Sequence, residues 1–239
     1  MTLTFLGTRG EIDTRTRRHR MHTSLLVSYR SANVMIDAGL DWLGKLESVS
    51  PSAIVLTHAH PDHAWGLKHG APCPVYATDK TWQELLRYPI KKRRLIKVRT
   101  PTKISGITFE AFPVEHSILS PAVGYRGSAG RARIFYAPDL IFIHERSAAL
   151  KSVQIYIGDG ATVTRSFIRR RGRALIGHSP VRTPLTWCQK EGVPRAIITH
   201  CGSEIVTGEK HDIAARICVM AAERRLDVRI AYDGMKVKL

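Results

Sequence analysis

The sequence predicts an α/β protein in which a mixed β-sheet is covered by helices. Strand-like runs come early in the chain and later alternate with helical patterns, an order typical of this architecture. Most acidic and histidine residues that could form a site follow strand-like runs, where functional residues of such proteins concentrate. No fixed repeat, low-complexity segment or linker rich in proline or serine interrupts the chain. We therefore expect one domain over residues 1–239.

The individual strands are predicted from short apolar, β-branched runs that end at turn residues. These runs cover residues 1–7, 23–28, 33–37, 53–57, 75–77, 107–114, 122–126, 133–137, 154–158, 196–199 and 228–232. Helical patterns cover residues 78–86, 184–191 and 209–224. Thr183 before Pro184 predicts a capped helix start, and Gly192 predicts the end of that helix.

The chain is strongly basic, with 37 Lys and Arg against 20 Asp and Glu and a net charge of +17. The basic clusters are Arg15 to Arg20, Lys91 to Arg94, and Arg169 to Arg171 with Arg173. A positive field of this size attracts anions such as phosphoesters or RNA. General solvated basicity is an equal alternative, because no RNA-binding motif with interleaved aromatic residues is present.

Cellular location is constrained by hydropathy and cysteine spacing. No run of about eighteen apolar residues occurs, so we expect no transmembrane helix and no membrane partner. The four cysteines lack C-x-x-C spacing and disulfide-framework density. This pattern favours a reducing, cytoplasmic environment.

Three imidazoles and a carboxylate crowd into six positions directly after the strand-like run 53–57: His58, His60, Asp62 and His63. Alternating side chains at a strand end would put His58 and His60 on one side, where both can bind one metal. Pro61 stops the strand, so Asp62 and His63 lie where the chain turns and can face a second metal. A solvated loop with accidental histidines is the alternative interpretation.

Two metals need further ligands, and three candidates each follow a strand-like run: His116, Asp139 and His200. Asp139 could bridge two cations with its two oxygens, while His116 serves the first metal and His200 the second. Nitrogen-rich ligation favours two Zn²⁺ ions, with Mn²⁺ or Fe as alternatives. Two cations that share a water make a bridging hydroxide available as nucleophile, and Asp62 could hold its proton.

With these residues the sequence resembles the metallo-β-lactamase superfamily. The resemblance rests on Thr57-His58-Ala59-His60-Pro61-Asp62-His63, then His116, Asp139 and His200, and runs from Phe5-Leu6-Gly7-Thr8 to Ala231-Tyr232-Asp233-Gly234-Met235. It implies a four-layer αβ/βα sandwich of two mixed sheets, with a dinuclear site at the sheet edge. It also implies the ligand sets: metal one bound by His58, His60 and His116, metal two by Asp62, His63 and His200, and Asp139 bridging.

A second element narrows the branch of the superfamily. Gly177-His178-Ser179-Pro180 resembles the His-Ser/Thr element of tRNase Z, which implies that His178 is a general acid or phosphate clamp. A structural histidine at a strand-to-helix junction is the alternative. Asp159 occupies the place of the acidic residue that orients this histidine in tRNase Z, but Gly160 stands where glutamate is expected, so the role of Asp159 is left open.

The chain also lacks the inserted tRNA-gripping arm of tRNase Z. A compact cyclic phosphodiesterase of phosphonate breakdown, which shares the ligand motif and lacks the arm, is more similar in size. That relative binds a structural zinc through N-terminal cysteines, which this chain does not have. A homodimer is left open, because dimerisation is common among relatives but no sequence signal indicates it.

The sequence therefore predicts a dinuclear metal-dependent hydrolase with Asp62 and His178 as catalytic residues. A phosphodiesterase that acts on small cyclic phosphodiesters or RNA ends is favoured. A lactonase or weak β-lactamase with the same metals is the alternative, although Asp139 in place of a cysteine disfavours the cysteine-containing β-lactamases. A third class, a nucleic-acid binder with a vestigial site, is disfavoured by the intact ligand set.

Overall fold

The structure, a computed structural model, describes residues 1–172 and 174–239, with the side chains of residues 210 and 211 outside the description. Two mixed β-sheets pack face to face, and helices cover their outer faces. This arrangement confirms the predicted four-layer αβ/βα sandwich. Arg173, the last residue of the third basic cluster, lies outside the described residues.

The described residues form seventeen strands and seven α-helices. The strands are β1 (Thr2–Gly7), β2 (Ser24–Tyr29), β3 (Ala32–Ile36), β4 (Ala53–Val55), β5 (Val75–Ala77), β6 (Arg93–Leu95), β7 (Thr102–Ile104), β8 (Ile107–Glu115), β9 (Ala122–Ala129), β10 (Ala132–Ala137), β11 (Phe142–Ile143), β12 (Ile155–Gly160), β13 (Phe167–Arg171), β14 (Ala174–His178), β15 (Arg195–Cys201), β16 (Asp227–Ile230) and β17 (Lys236–Lys238). The helices are α1 (Leu46–Val49), α2 (Pro61–Ala64), α3 (Asp79–Glu84), α4 (Arg146–Leu150), α5 (Arg182–Lys190), α6 (Ser203–Thr207) and α7 (Lys210–Ala222).

Each sheet is antiparallel at one end and parallel at the other. The first sheet has the order β17-β1-β2-β3-β4-β5-β6, and its strands run parallel from β3 to β6. The second has the order β11-β8-β9-β10-β12-β15-β16, with β7 also paired to β8, and runs parallel from β10 to β16. Since parallel strands end at the same edge, the loops that follow β10, β12 and β15 meet there.

The core lies in three layers, which is why the sheet strands are buried on both faces. Phe5 and Ile36 of the first sheet meet Phe109 and Tyr136 of the second in the central layer. Outside the second sheet, Leu185 and its neighbours on α5 pack against apolar side chains of β10 and β12. A third cluster covers the outer face of the first sheet. The central layer thereby packs the two sheets against each other.

The start of α5 differs from its prediction. The helix begins at Arg182, and its N-cap, Val181, makes no side-chain capping hydrogen bond. The cap predicted at Thr183 is therefore wrong, because the chain already turns at Pro180, whose carbonyl accepts the Thr183 N–H. Pro184 still lies in the first helical turn, where no intrahelical N–H bond is lost. Gly192 takes a positive φ of 69° just after the helix, as predicted.

The β13–β14 hairpin has no counterpart in the predicted strands. Its two strands pair only with each other, and all five residues of β13 are exposed. An exposed ribbon shows no alternation of buried and solvated side chains, and that alternation is the signal on which strand prediction depends.

No helix of the described residues is long and apolar enough to cross a membrane. The four cysteines are free in the part of the chain that the structure describes.

Candidate metal centre

The seven predicted ligands converge at the sheet edge from both halves of the sandwich. The loop after β4 carries His58 and His60, and α2, which has Pro61 at its first position, carries Asp62 and His63. The second sheet supplies the other three, from the ends of β8, β10 and β15: His116, Asp139 and His200. Their potential ligand atoms form two groups that share Asp139.

The first group comprises His58, His60, His116 and Asp139. Asp139 Oδ2 lies 3.4 Å from His58 Nε2 and 3.4 Å from His116 Nε2. His60 Nδ1 lies 3.2 Å from His116 Nε2. The structure thus brings the three imidazoles expected at metal one together, two of them directly against one oxygen of Asp139.

The second group comprises Asp62, His63, Asp139 and His200. Asp62 Oδ2 lies 3.0 Å from His200 Nε2 and 3.1 Å from His63 Nε2. Asp139 reaches the same imidazoles, with Oδ1 at 2.9 Å from His200 Nε2 and Oδ2 at 3.2 Å from His63 Nε2. The two oxygens of Asp139 therefore span both groups.

The spacing of these atoms fits a pair of small divalent cations. Tetrahedral zinc with ligands at about 2.0–2.1 Å places neighbouring ligand atoms about 3.3 Å apart. The N···O distances to Asp139, from 2.9 to 3.4 Å, bracket that value. Among the described residues, His58 Nε2, His63 Nε2 and Asp139 Oδ1 are buried and, although they lie close to other polar atoms of the centre, none of them makes a hydrogen bond of acceptable geometry. Buried orphan atoms are costly, so a cation would resolve an otherwise unfavourable arrangement.

Neighbouring acceptors fix which nitrogen of three imidazoles faces the centre. His58 Nδ1 lies 3.0 Å from Thr57 Oγ1, and His63 Nδ1 lies 2.9 Å from Asp37 Oδ2. His116 Nδ1 donates to the carbonyl of Gly177 at 3.1 Å. Because each Nδ1 is engaged outward, each Nε2 is directed inward as a free ligand atom.

Burial keeps the first group of imidazoles neutral. It lowers the pKa of His60 to about 4 and that of His58 well below its usual value. The pKa of His116 is also lowered, chiefly by burial. Neutral imidazole is the form that binds metals, so these rings are ready ligands at neutral pH.

The second group is governed by charge pairing. Burial alone would lower the pKa of His63 and His200, but the facing carboxylates outweigh burial and raise both well above the usual value. Burial alone would raise the pKa of Asp62 and Asp139, but the imidazoles hold both well below the usual range. The carboxylates are therefore ionised and available to cations.

Asp37 belongs to the surroundings of the centre, and nothing in the sequence indicates this role beyond its position at the end of a strand-like run. It is fully buried with a φ of 63° directly after β3. Its carboxylate accepts the Thr57 N–H at 2.8 Å and faces His63 Nδ1. Asp37 thus holds both ends of the ligand-bearing loop.

His178 lies beside both ligand groups. Its ring centroid is 5.1 Å from that of His116 and 5.5 Å from that of His200. His178 Nδ1 lies 2.7 Å from Asp159 Oδ2. Burial would lower the pKa of His178, but the charge of Asp159 outweighs it and raises the pKa. The contact with Asp159, left open by the sequence, is present despite Gly160.

These residues line one cavity of about 480 Å³, which holds His60, Asp62, His116, Asp139, His178 and His200 in its wall. Of the histidines outside the two ligand groups, His178 apart, His22 contacts the cavity wall: its Nε2 lies 3.8 Å from the cavity residue Glu11, and its Nδ1 lies 3.0 Å from Asp41. His19 bonds Thr8 instead, and His69 and His144 lie at the surface. The side chain of His211 lies outside the described set.

Comparison with known proteins identifies a family and a set of similar folds. Residues 32–201 match the family described as the beta-lactamase superfamily domain. The metallo-beta-lactamase fold protein YhfI from Bacillus subtilis superposes with a TM-score of 0.75 at 14% identity, over 99% of this chain and 98% of that one. No curated protein sequence gives a significant match.

Two further structures are similar over nearly their whole length. A diphosphatase from the PhnP family has a TM-score of 0.71 at 20% identity, with 99% of this chain and 96% of that chain covered. Human tRNase Z, short form, has a TM-score of 0.66 at 16% identity, with 100% and 99% covered. At such identities the likeness shows the shared fold.

Proposed function

Since the chain belongs to the metallo-β-lactamase superfamily, we propose that it is a dinuclear metal-dependent phosphodiesterase that acts on small cyclic phosphodiesters or RNA ends. The observation that carries the proposal is the position of His178. Its Nδ1 is hydrogen-bonded to Asp159, and its ring lies next to His116 of the first ligand group and His200 of the second. Two of the similar structures are named as a diphosphatase and a tRNase. Those names favour a reaction at phosphorus.

The residues that would hold the metals are the two groups described above. His58, His60 and His116 would hold one cation, and Asp62, His63 and His200 the other, with Asp139 shared. The nitrogen-rich ligand set favours Zn²⁺. Two such cations, when bound, supply Lewis-acid activation of water and of the phosphoryl group.

His178 would act as general acid. With Nδ1 engaged by Asp159, its other nitrogen is left for the cavity, where a protonated ring can donate to the departing oxygen of the ester. The raised pKa of His178 favours the protonated form. Because an alkoxide is a poor leaving group, this proton makes a large difference to the rate.

Asp62 would orient the attacking water. One of its oxygens faces His63 and His200, which keep the carboxylate ionised, and the residue lines the cavity. A carboxylate in this position accepts the hydrogen of the water and turns its lone pair toward phosphorus. Nucleophile and acid would thus approach the substrate from different walls of the same cavity.

A substrate panel tests the proposal. Zinc-loaded protein is assayed with bis-para-nitrophenyl phosphate, 2′,3′-cyclic nucleotides, a lactone and nitrocefin. We expect turnover of the phosphodiesters. The kcat/KM for the cyclic nucleotides should fall about 10²- to 10⁴-fold in His178→Ala, the range typical of a lost general acid. The matched variant His69→Ala removes an exposed histidine outside the cavity and should keep kcat/KM within about twofold.

Lactone or nitrocefin turnover without phosphodiester turnover would reject the proposal in favour of an acyl hydrolase. An equal loss in His178→Ala and His69→Ala would remove His178 from the chemistry.

A further inference from the structure

We propose that the β13–β14 hairpin is a track for a single-stranded nucleic acid that leads away from the candidate metal centre. The inference rests on the proposed phosphodiesterase function and specifies its substrate class as a strand of several nucleotides, cleaved at or near its end. Four features of the molecule support it: the register of the hairpin, its anchoring, the charge around the cavity and the spacing of the hairpin's side chains.

The register puts a row of basic and aromatic side chains on the face of His178. In the antiparallel pair, Phe167 stands opposite His178, Arg169 opposite Ile176, and Arg171 opposite Ala174. Side chains of directly opposed residues share a face, and alternate residues of one strand share it too. Phe167, Arg169 and Arg171 therefore lie on the His178 face, whereas Arg170 lies on the reverse.

The hairpin is anchored to a candidate metal ligand. The Gly177 N–H donates to the carbonyl of His116 at 2.9 Å, and the Gly177 carbonyl accepts from His116 Nδ1 at 3.1 Å. The Leu175 N–H donates to Glu115 Oε1 at 3.3 Å. These bonds hold β14 against the end of β8, so the side chains of the hairpin keep a fixed position relative to the centre.

Depressions in the surface continue from the centre along this face. A depression of about 340 Å³, lined by Arg169, shares Phe167 and His178 with the central cavity. A further one of about 200 Å³ lies between Arg171 and the exposed Leu119, and shares His60 and His116 with the central cavity. Both depressions therefore adjoin the central cavity on the hairpin side, where an extended ligand that starts at the ligand groups would continue.

Charge gives this path a direction. Glu11 and Glu204 line the central cavity on the side formed by residues 10–12 and 202–204. Carboxylates there repel a polyanion, whereas Arg169 and Arg171 attract it. The remainder of a phosphodiester substrate is thus favoured on the hairpin side. Among the described residues, neither Arg15 to Arg20 nor Lys91 to Arg94 lines the cavity or these two depressions.

The spacing and side-chain types match a single strand. Alternate residues of a strand are about 6.6 Å apart, which is close to the separation of successive phosphates along an extended nucleotide chain. Arginine pairs with phosphate through two parallel N–H bonds. Phe167 is 49% exposed beside His178, and an exposed aromatic ring stacks on an unpaired base. Bases inside a duplex are already paired and stacked on both sides, so they offer no free face to this ring.

Affinity measurements on face-matched variants test the track. Phosphorothioate oligonucleotides, which resist hydrolysis, are bound to the full-length, zinc-loaded chain and followed by fluorescence anisotropy across a salt series. Arg169→Gln and Arg171→Gln should each weaken binding about three- to tenfold. Each should also make the negative slope of log affinity against log salt shallower by about 0.7, the value for one lost phosphate contact. Arg170→Gln removes the same charge from the reverse face and should change neither quantity appreciably.

The proposed stacking of a base on Phe167 is tested by a second pair of variants. Phe167→Leu should weaken binding about fivefold or more through lost stacking, whereas Ile168→Leu, on the reverse face, should leave binding unchanged. Parallel RNA and DNA strands of one sequence identify which nucleic acid the track prefers. Equal losses in the three arginine variants, no loss in any, or tighter binding of a blunt duplex would overturn the inference.

Turnover of bis-para-nitrophenyl phosphate by the wild-type protein reports separately on the proposed function. No turnover together with an intact difference between Arg169→Gln and Arg170→Gln would reject the phosphodiesterase and keep the track. Turnover without that difference would reject the track and keep the phosphodiesterase.

Discussion

Asp159 and His178 form the contact on which the proposed proton transfer depends. Asp159 is fully buried, and it also accepts the backbone N–H groups of Leu140 at 3.2 Å and Ala161 at 2.8 Å. These bonds hold the carboxylate in place, so His178 rests on a rigid support. A pair of this kind acts through orientation of the ring and through stabilisation of its charged form.

We predict that Asp159→Asn lowers kcat/KM most for substrates whose leaving group must be protonated as it departs. The amide cannot stabilise a protonated His178, so cleavage of an alkyl or nucleoside ester should fall about 10²-fold or more. A nitrophenolate departs without a proton, so bis-para-nitrophenyl phosphate should lose far less. Steady-state kcat/KM for both ester types gives the comparison, and a uniform loss would contradict an acid role for His178.

Asp37 lies behind the candidate metal centre and is not among the residues that line its cavity. Its contacts with His63 and Thr57 orient one predicted ligand and the loop that carries two more. We predict that Asp37→Ala lowers zinc affinity about 10- to 100-fold, the usual cost of losing a group that orients a metal-bound histidine. Competition with a chromophoric chelator measures this affinity. Asp79→Asn, an exposed substitution on α3, is the control and should leave it unchanged.

Single residues of the site differ in how far the sequence alone could predict them. His58, His60, Asp62 and His63 were recognisable because four ligand-type side chains in six positions are dense enough to stand out. Asp37 was not, because one acid after one strand looks like any turn residue. Its role depends on a contact with His63, 26 positions away, which only the fold creates.

At the scale of elements, the conformation of Gly177 couples the hairpin to the centre. Gly177 has a φ of 120°, and a Cβ there would lie 1.8 Å from the Phe167 carbonyl oxygen. Any side chain must therefore push β13 away from β14 next to His178. Gly172, in the turn of the hairpin, also has a positive φ, of 62°. A Cβ added there would meet nothing within 4 Å.

We predict that Gly177→Ala reduces cyclic-nucleotide turnover at least about tenfold, because it displaces His178 by a fraction of an ångström or more. Gly172→Ala carries only the backbone cost of its φ, about 1 kcal/mol, and should retain turnover. Circular dichroism should show both variants folded. Equal activity of the two alanine variants would mean that the geometry of the hairpin does not control His178.

The elements also differ in how visible they are in the sequence. Buried strands such as β5 and β8 were predicted to within one residue, because their apolar runs are required by burial on both faces. The helix α2 was described as a turn, since four residues are too few to show a helical period. The hairpin was missed because its strands face solvent and pair only with each other.

At the scale of the whole molecule, the candidate centre joins the two sheets. Asp62 and His63 follow the first sheet, whereas Asp139 and His200 belong to the second, and these four residues are buried in mutual contact. Without cations, this contact relies on ion pairs whose desolvation is costly. Cations bound there would therefore tie the halves of the sandwich together.

We predict that chelation lowers the thermal unfolding midpoint by several degrees and that Zn²⁺ restores it, since a ligand that binds only the folded state stabilises it by mass action. Differential scanning fluorimetry measures the shift. The variant Asp139→Asn should respond much less to chelator or Zn²⁺ than the control Asp79→Asn. Identical responses of the two variants would place the stabilising ion elsewhere.

The global fold was predictable to a larger extent than the substrate. The order of ligand-type residues along the chain was enough to indicate the superfamily and its sandwich, and the family match over residues 32–201 confirms that resemblance. The net charge of +17 was not enough to indicate where a polyanion binds. Only the three-dimensional arrangement separates Arg169 and Arg171 from the many other cations.

The number of zinc ions bound per chain is the measurement that tests the dinuclear centre most directly. Inductively coupled plasma mass spectrometry of zinc-loaded, desalted protein should give two ions for the wild type and for Asp79→Asn. It should give about one for His60→Ala, which removes a ligand from the first group only. A wild-type value of one or zero, or two ions retained in Asp139→Ala, would contradict the shared centre.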